Sequence, residues 1–228
     1  MRSSSGKACL ILGSNSIGNP LDIPLRVLEY IKTSDLLVFE EDRPARIVLK
    51  QAGVHKDYLK YSEHNQTDTL EQISQAFKSG KTVLYMSDQG CPNLADPAAN
   101  ILARAYRMNV KIQVIPGPSS VTAAISACPF DMSSFLYQGF LPRDNKRDLK
   151  LKELTKIRSS IIILDTPYRL VSIIEACSNI FKNRRGFLAL DISGENENYL
   201  LGSFKNLFQI VTQQEIKKTN FVLIIENL

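Results

Sequence analysis

The feature that most constrains this chain is the alternation, from its first ten residues, of short apolar runs with segments of helical periodicity. Ala8 to Leu12 precedes a helical pattern over Ile23 to Thr33, and Leu36 to Glu40 precedes another over Ala45 to Ala52. A helix over Asp68 to Ser79, stopped by Gly80, leads into the run Thr82 to Met86, the helix Pro97 to Met108 and the run Lys111 to Ile115. Short apolar runs bounded by turn residues read as strands, and strands alternating with long helices are joined in parallel because each helix returns the chain to the starting edge. Parallel strands are buried on both faces, which accounts for their unbroken hydrophobicity. Asp22 before Pro24 predicts a capped helix start there.

Pro116-Gly117-Pro118 lacks two backbone donors and restricts the residue before each proline, so the expected boundary falls there: an N-terminal α/β domain with a parallel sheet over 1–116, and a C-terminal α/β domain with a mixed sheet over 117–228. The second half reads as a helix over Ser119 to Ala127, a strand near Phe135 to Gly139, a basic helix and a strand over Ser160 to Asp165. A helix over Pro167 to Asn179, strands over Gly186 to Ile192 and Tyr199 to Leu201, a helix over Lys205 to Gln213 capped by Ser203, and a strand over Phe221 to Glu226 complete it.

Composition excludes several classes. With 44% hydrophobic and 22% charged residues in 228, the chain has ordinary globular balance. Apolar runs such as Ile161 to Leu164 fall far short of the ~20 residues needed to cross a bilayer, so no membrane segment is expected. Met1 to Lys7 is polar and Ser-rich with no secretory h-region after it, and a cytoplasmic location is expected. Cys9, Cys91, Cys128 and Cys177 are scattered without a C-x-x-C pair, and His55 and His64 lie in no zinc-ligand spacing. No G-x-S-x-G elbow or Walker sequence is present either. Group transfer from a bound donor needs positioning rather than an activated nucleophile, and is the class that remains.

In open α/β sheets ligands bind beyond the carboxyl ends of the strands. Three loops stand out there. Gly13 to Pro20 after the first strand is a run of small and turn-forming residues. Ser87 to Pro97 begins and ends near an aspartate and contains two prolines; Asp88 is placed to accept from a ligand amine or ribose, and Asp96 to cap the helix after it. Pro116 to Ser120 delivers the hydroxyls of Ser119 and Ser120. Charge is concentrated elsewhere. The net +5 is modest, but Arg143 to Arg158 holds seven basic residues against three acidic ones. It reads either as a solvated helix with Leu151, Leu154 and Ile157 turned inward or as a surface for RNA phosphates.

Ile17-Gly18-Asn19, Tyr61-Ser62-Glu63-His64-Asn65, Ser87-Asp88-Gln89-Gly90-Cys91-Pro92, Pro116-Gly117-Pro118-Ser119 and Gly139-Phe140-Leu141-Pro142-Arg143 occur in that order. In this the chain resembles the bacterial small-subunit ribosomal RNA cytidine 2′-O-methyltransferases, a branch of the tetrapyrrole methylases. The resemblance implies an α/β architecture of two αβα domains, class III methyltransferase-like, with S-adenosylmethionine in the cleft between them and no metal. It further implies a homodimer and an RNA acceptor. Asp88, Gly90, Cys91, Ser119, Ser120 and Leu164 would line the cofactor site. A ribose hydroxyl must lose its proton, and the candidates to assist are Glu40, Arg43, Glu63, His64 and Glu195. Glu40 and Arg43 also read as an ion pair at a strand end, and Glu63 and His64 as loop braces.

The chain departs from the family at identifiable places. The family's opening Pro-Thr-Pro-Ile-Gly-Asn is here Ser14-Asn15-Ser16-Ile17-Gly18-Asn19, its Tyr-Glu-Ser-Pro-His-Arg is Leu164-Asp165-Thr166-Pro167-Tyr168-Arg169, and its Ala-Arg-Glu-Leu-Thr-Lys is Leu190-Asp191-Ile192-Ser193-Gly194-Glu195. Two other readings therefore stand beside an RNA methylase: a methylase of a small tetrapyrrole-like acceptor, and a module that binds S-adenosylmethionine without catalysis.

Overall fold

The computed structural model describes residues 7–62 and 65–228. The chain divides into two compact units, Met1–Ser119 and Ser120–Leu228. In the first, β1 (Cys9–Gly13), β2 (Leu36–Phe39), β3 (Leu59–Lys60), β4 (Thr82–Met86) and β5 (Lys111–Ile115) form a sheet of order β3-β2-β4-β1-β5. Every pairing in it is parallel.

Successive strand residues point to opposite faces, and both faces of β1, β2 and β4 are covered, while Val114 of the edge strand β5 is exposed. Ile11, Leu37, Phe39, Leu84 and Met86 pack with Val27 and Ile31 of α1 (Leu25–Thr33) and with Ala45 and Val48 of α2 (Asp42–Ala52). Leu10, Leu12, Val38, Val83 and Tyr85 pack with Ile73 and Phe77 of α3 (Gln66–Lys78) and with Ile101 and Ala105 of α4 (Ala98–Arg107). The registers set Phe39 beside Met86, Met86 beside Gly13 and Gly13 beside Ile115, so four loops leave the sheet from one edge at one level.

One expected cap is not formed. Helix α1 starts at Leu25 with Pro24 at its N-cap position and no side-chain cap, while Asp22 ends a separate 3-10 turn, Pro20–Asp22. The residue before a proline is driven out of helical geometry, and Ile23 is extended (φ −64°, ψ 127°), which parts the two elements. Asn19 caps the turn instead, its side chain accepting from the Leu21 N–H at 3.0 Å.

The second unit holds β6 (Phe135–Gly139), β7 (Ser160–Asp165), β8 (Arg185–Leu190), β9 (Asn198–Ser203) and β10 (Phe221–Ile225) in the order β6-β7-β10-β8-β9. β6 and β7 are parallel and the other pairs antiparallel, so the sheet is mixed. Its helices are α5 (Ser120–Ala127), α6 (Asn145–Leu154), α7 (Leu170–Ile180) and α8 (Phe204–Gln213). Ile161, Ile163, Leu188, Leu223 and Ile225 form one core with Leu151 and Leu154 of α6, Ile173 and Ile174 of α7 and Leu207 of α8. Ser203 caps α8 as expected, accepting from the Asn206 N–H. No described helix is long and apolar enough to cross a membrane.

Candidate functional site

The four loops at the carboxyl edge of the first sheet are tied together by hydrogen bonds between groups distant in sequence. The Asn15 N–H donates to the Gly90 carbonyl at 2.8 Å, and its side-chain amide donates to the Ser87 and Asp88 carbonyls at 3.2 and 2.9 Å. The Ser14 hydroxyl donates to the Ile115 carbonyl at 3.2 Å, and the Cys91 thiol lies 3.3 Å from the Pro118 carbonyl. From the second strand, Glu40 Oε1 accepts the Asp88 N–H at 3.1 Å, and Asp88 Oδ1 returns the contact by accepting the Glu41 N–H at 3.1 Å. Asp88, Gly90, Cys91 and Ser119 are thus gathered with Glu40 at one sheet edge. Ser120 opens α5 and Leu164 lies in β7, both in the second unit.

This edge fits an adenosyl donor by its chemistry. Asp88 is half-buried and has spent one lone pair on Glu41, leaving acceptor capacity for ribose hydroxyls or an ammonium. Gly90 is left-handed (φ 69°), a conformation in which a side chain is disfavoured, so its backbone stays bare next to Ile17 and Pro118. Asp96 Oδ1 accepts from the Asn93 and Ala98 N–H groups at 2.8 and 2.9 Å, serving as the expected cap, while its Oδ2 is buried without a hydrogen-bond partner among the described residues.

The same edge crowds carboxyls. Burial, reinforced by Asp96, pushes the Glu40 carboxyl up to about 7, against the donated hydrogen bonds from the Asp88 N–H and the Tyr85 hydroxyl. Burial likewise raises Asp88 and Asp96. A carboxyl raised in the fold favours folding fully below its ordinary range near 4.5, and that contribution is lost as pH rises through 7. Glu40→Gln keeps the acceptor oxygen and removes the titration. The variant is expected to match the parent near pH 4.5 and to exceed its stability at pH 8 by about 1 kcal/mol, a figure reduced for partial solvent screening. Urea unfolding at the two pH values reads this; equal differences at both would reject it.

The other candidates are dispersed. Arg43 is exposed on α2, and the expected Glu40–Arg43 ion pair is absent among the described residues: Glu40 turns inward to Asp88 and Tyr85, while Lys60 pairs with Glu41 and Asp42. Glu195 is exposed in the turn after β8, which is closed by the Gly194 N–H on the Asp191 carbonyl and the Asn196 N–H on Asp191 Oδ2. Glu63 and His64 lie outside the described residues. The basic helix α6 buries Leu151 and Leu154, its exposed side carries the Arg147–Asp148 and Lys150–Glu153 pairs, and Arg143 precedes it. Among the described residues no cluster of three or more His, Cys, Asp or Glu is placed to hold a metal.

Two residues that build the edge escaped the sequence reading. In sequence Asn15 is one member of a turn-forming run. Tyr85 lies within the run Thr82 to Met86, yet it is fully buried and its hydroxyl lies 3.3 Å from Glu40. A phenol in the interior of a doubly covered strand needs a polar partner, and that signal was available.

A family model of the tetrapyrrole (corrin/porphyrin) methylases matches residues 16–207. The chain is 31% identical over 193 residues to a protein of Thermotoga maritima called ribosomal RNA small subunit methyltransferase I, covering 85% of this chain and 87% of that one. A Rickettsia prowazekii protein of the same name is 29% identical over 220 residues, covering 96% and 78%. Among solved structures, a diphthine synthase gives a TM-score of 0.75 at 17% identity, covering 96% of this chain and 90% of its own. A cobalt precorrin-4 methyltransferase of cobalamin biosynthesis gives 0.71 at 16%, covering 99% and 97%. At such identities these two structures establish the fold, a two-domain class III methyltransferase architecture.

Proposed function

This chain belongs to the tetrapyrrole (corrin/porphyrin) methylases, and from that premise we propose that it transfers a methyl group from S-adenosylmethionine to the ribose 2′-oxygen of a cytidine in small-subunit ribosomal RNA. It is an S-adenosylmethionine-dependent methyltransferase. The single observation that carries the donor site is the hydrogen-bonded set of loops holding Asp88 and Gly90 at the carboxyl edge of the first sheet. Support for the acceptor comes from relatives that carry the ribosomal RNA name and align over most of the chain.

When bound, S-adenosylmethionine supplies an electrophilic methyl carbon open to in-line attack. The chain's part is placement and exclusion of water. Asp88 accepts from the donor's polar groups, Gly90 admits it against the backbone, and Cys91 and Ser119 flank it. Ser120 and Leu164 complete the proposed set from the second unit. Glu40 acts as a positioning residue, since its carboxyl holds the Asp88 amide. Glu63, His64 and Glu195 remain the proposed groups for taking the hydroxyl proton and Arg43 for stabilising the oxyanion it leaves, and the segment from Arg143 to Arg158 the proposed contact for phosphates. The enzyme is proposed to work in the cytoplasm as a homodimer without a metal.

The test is transfer of labelled methyl from S-adenosylmethionine into unmodified small-subunit RNA, in the presence of a chelator, on protein whose mass is measured by light scattering. The expected result is label in 2′-O-methylcytidine after nuclease digestion, from a dimer. Label in the small-molecule fraction would move the acceptor to a tetrapyrrole-like compound. Donor binding with no transfer to any fraction would leave a binding module.

A further inference from the structure

The registers of the second sheet set Asp165, Phe221 and Leu190 side by side, so the loops after β6, β7 and β8 and the segment entering β10 share one edge. An open groove of about 790 Å³ lies there, lined by Arg143, Arg147, Thr166, Pro167, Tyr168 and Arg169 among others. Tyr168 is the conspicuous member. The residue is 76% exposed, although burying a tyrosine ring is ordinarily favourable.

The ring stands on a rigid base. It lies in the 3-10 turn Pro167–Arg169, whose φ at Pro167 is fixed by the proline ring. Arg169 pairs at 3.0 Å with the fully buried Asp165 carboxylate and donates to the Leu141 and Pro142 carbonyls at 2.7 and 2.6 Å. Asp165 also accepts the Leu141 N–H at 3.1 Å and the Thr166 N–H at 2.7 Å. The β6 and β7 loops are thereby locked together beneath Tyr168. From the segment before β10, the Lys218 ammonium stands 5.4 Å from the ring centroid, and Arg143 makes no ion pair among the described residues.

We propose that Tyr168 is a stacking platform for one unpaired base of the RNA, with Lys218 and Arg143 taking the phosphates on either side. This rests on the RNA-methyltransferase reading and names the residues that would set the acceptor strand in register. The chemistry is that of single-strand recognition, in which an exposed ring offers a face to any base while neighbouring cations follow the backbone. A duplex keeps its bases stacked on each other and cannot use the ring.

Because the ring is exposed and the turn is braced by Arg169 and Asp165, Tyr168→Ala leaves the fold intact, which thermal unfolding with and without S-adenosylhomocysteine checks. The experiment is fluorescence anisotropy of a cytidine-containing single-stranded 12-nucleotide RNA, titrated with the full chain at several salt concentrations. Tyr168→Ala is expected to weaken binding about tenfold without changing the salt slope, and Tyr168→Phe to retain parental affinity. Arg143→Ala is expected to reduce the slope of log affinity against log salt by about 0.7. Parental affinity in Tyr168→Ala, or equal losses in the Ala and Phe variants, overturns the platform while leaving the RNA reading in place. A parent chain that binds no RNA at low salt overturns both.

Discussion

Replacing Asn15 with alanine is expected to lower the unfolding free energy by about 2–4 kcal/mol and to weaken S-adenosylmethionine binding more than tenfold. Asn15 is 3% exposed, and its side chain makes three hydrogen bonds: the amide nitrogen donates to the Ser87 and Asp88 carbonyls, and the oxygen accepts the Ser16 N–H at 2.8 Å. The Ser16 contact fixes which end of the amide is which, since only the nitrogen can then face two carbonyls. Alanine keeps the backbone bond to Gly90 but leaves two carbonyls without that donor in a place water reaches poorly. Asn15→Asp is the sharper variant. It has the same shape but sets a carboxylate oxygen against those carbonyls, so it should be at least as damaging. Chemical denaturation and calorimetric titration measure the two effects, and an alanine variant within 0.5 kcal/mol of the parent would sink the idea that Asn15 holds the Asp88 loop.

The second large effect is steric. A Cβ at Gly117 would lie 2.6 Å from Ser14 Cβ and 2.8 Å from Pro24 Cγ. Neither neighbour can yield easily, because Ser14 is 1% exposed and bonded to the Ile115 carbonyl, and Pro24 is a ring at the start of α1. Gly117→Ala must therefore push the Pro116 to Ser119 loop away from the loop after β1. Overpacking of this kind costs about 1–3 kcal/mol, and where it falls on the proposed donor-binding loops the affinity for S-adenosylmethionine is expected to drop about 10- to 100-fold. Ser14→Gly removes the nearer contact, so the double variant Ser14→Gly/Gly117→Ala should recover part of the loss, with a coupling energy above about 0.5 kcal/mol. Strict additivity of the two substitutions would show that the contact does not carry the effect.

The pH response of Glu40 belongs to the same set of loops. Asn15, Gly117 and Glu40 each act on a different strand end, yet all three constrain the Asp88 loop or its neighbour. The proposed donor site, built this way, would be held in place before ligand arrives, which reduces the ordering that binding must supply.

The strands were legible in the sequence because each is a local pattern with local punctuation. Thr82 to Met86, Lys111 to Ile115, Phe135 to Gly139 and Ser160 to Asp165 have the expected bounds, since short runs of three to four apolar residues between turn signals leave little freedom. The two-residue strand Leu59–Lys60 is too short to carry a period, and the start of α1 shifted because Pro24 acts on the residue before it as well as on its own φ. Asp88 and Gly90 stand out as candidate site residues from their place after a buried strand and from the ordered motifs around them. Their partners do not. That Asn15 reaches Ser87, that Glu40 bonds Asp88 rather than Arg43, and that Lys218 stands at Tyr168 depend on strand order and register, which bring together residues 72, 48 and 50 positions apart. Sequence fixes each element through short-range sterics and burial; which polar groups meet at a sheet edge is decided only when the strands pair, because a hydrogen bond of 3 Å has no counterpart in sequence distance.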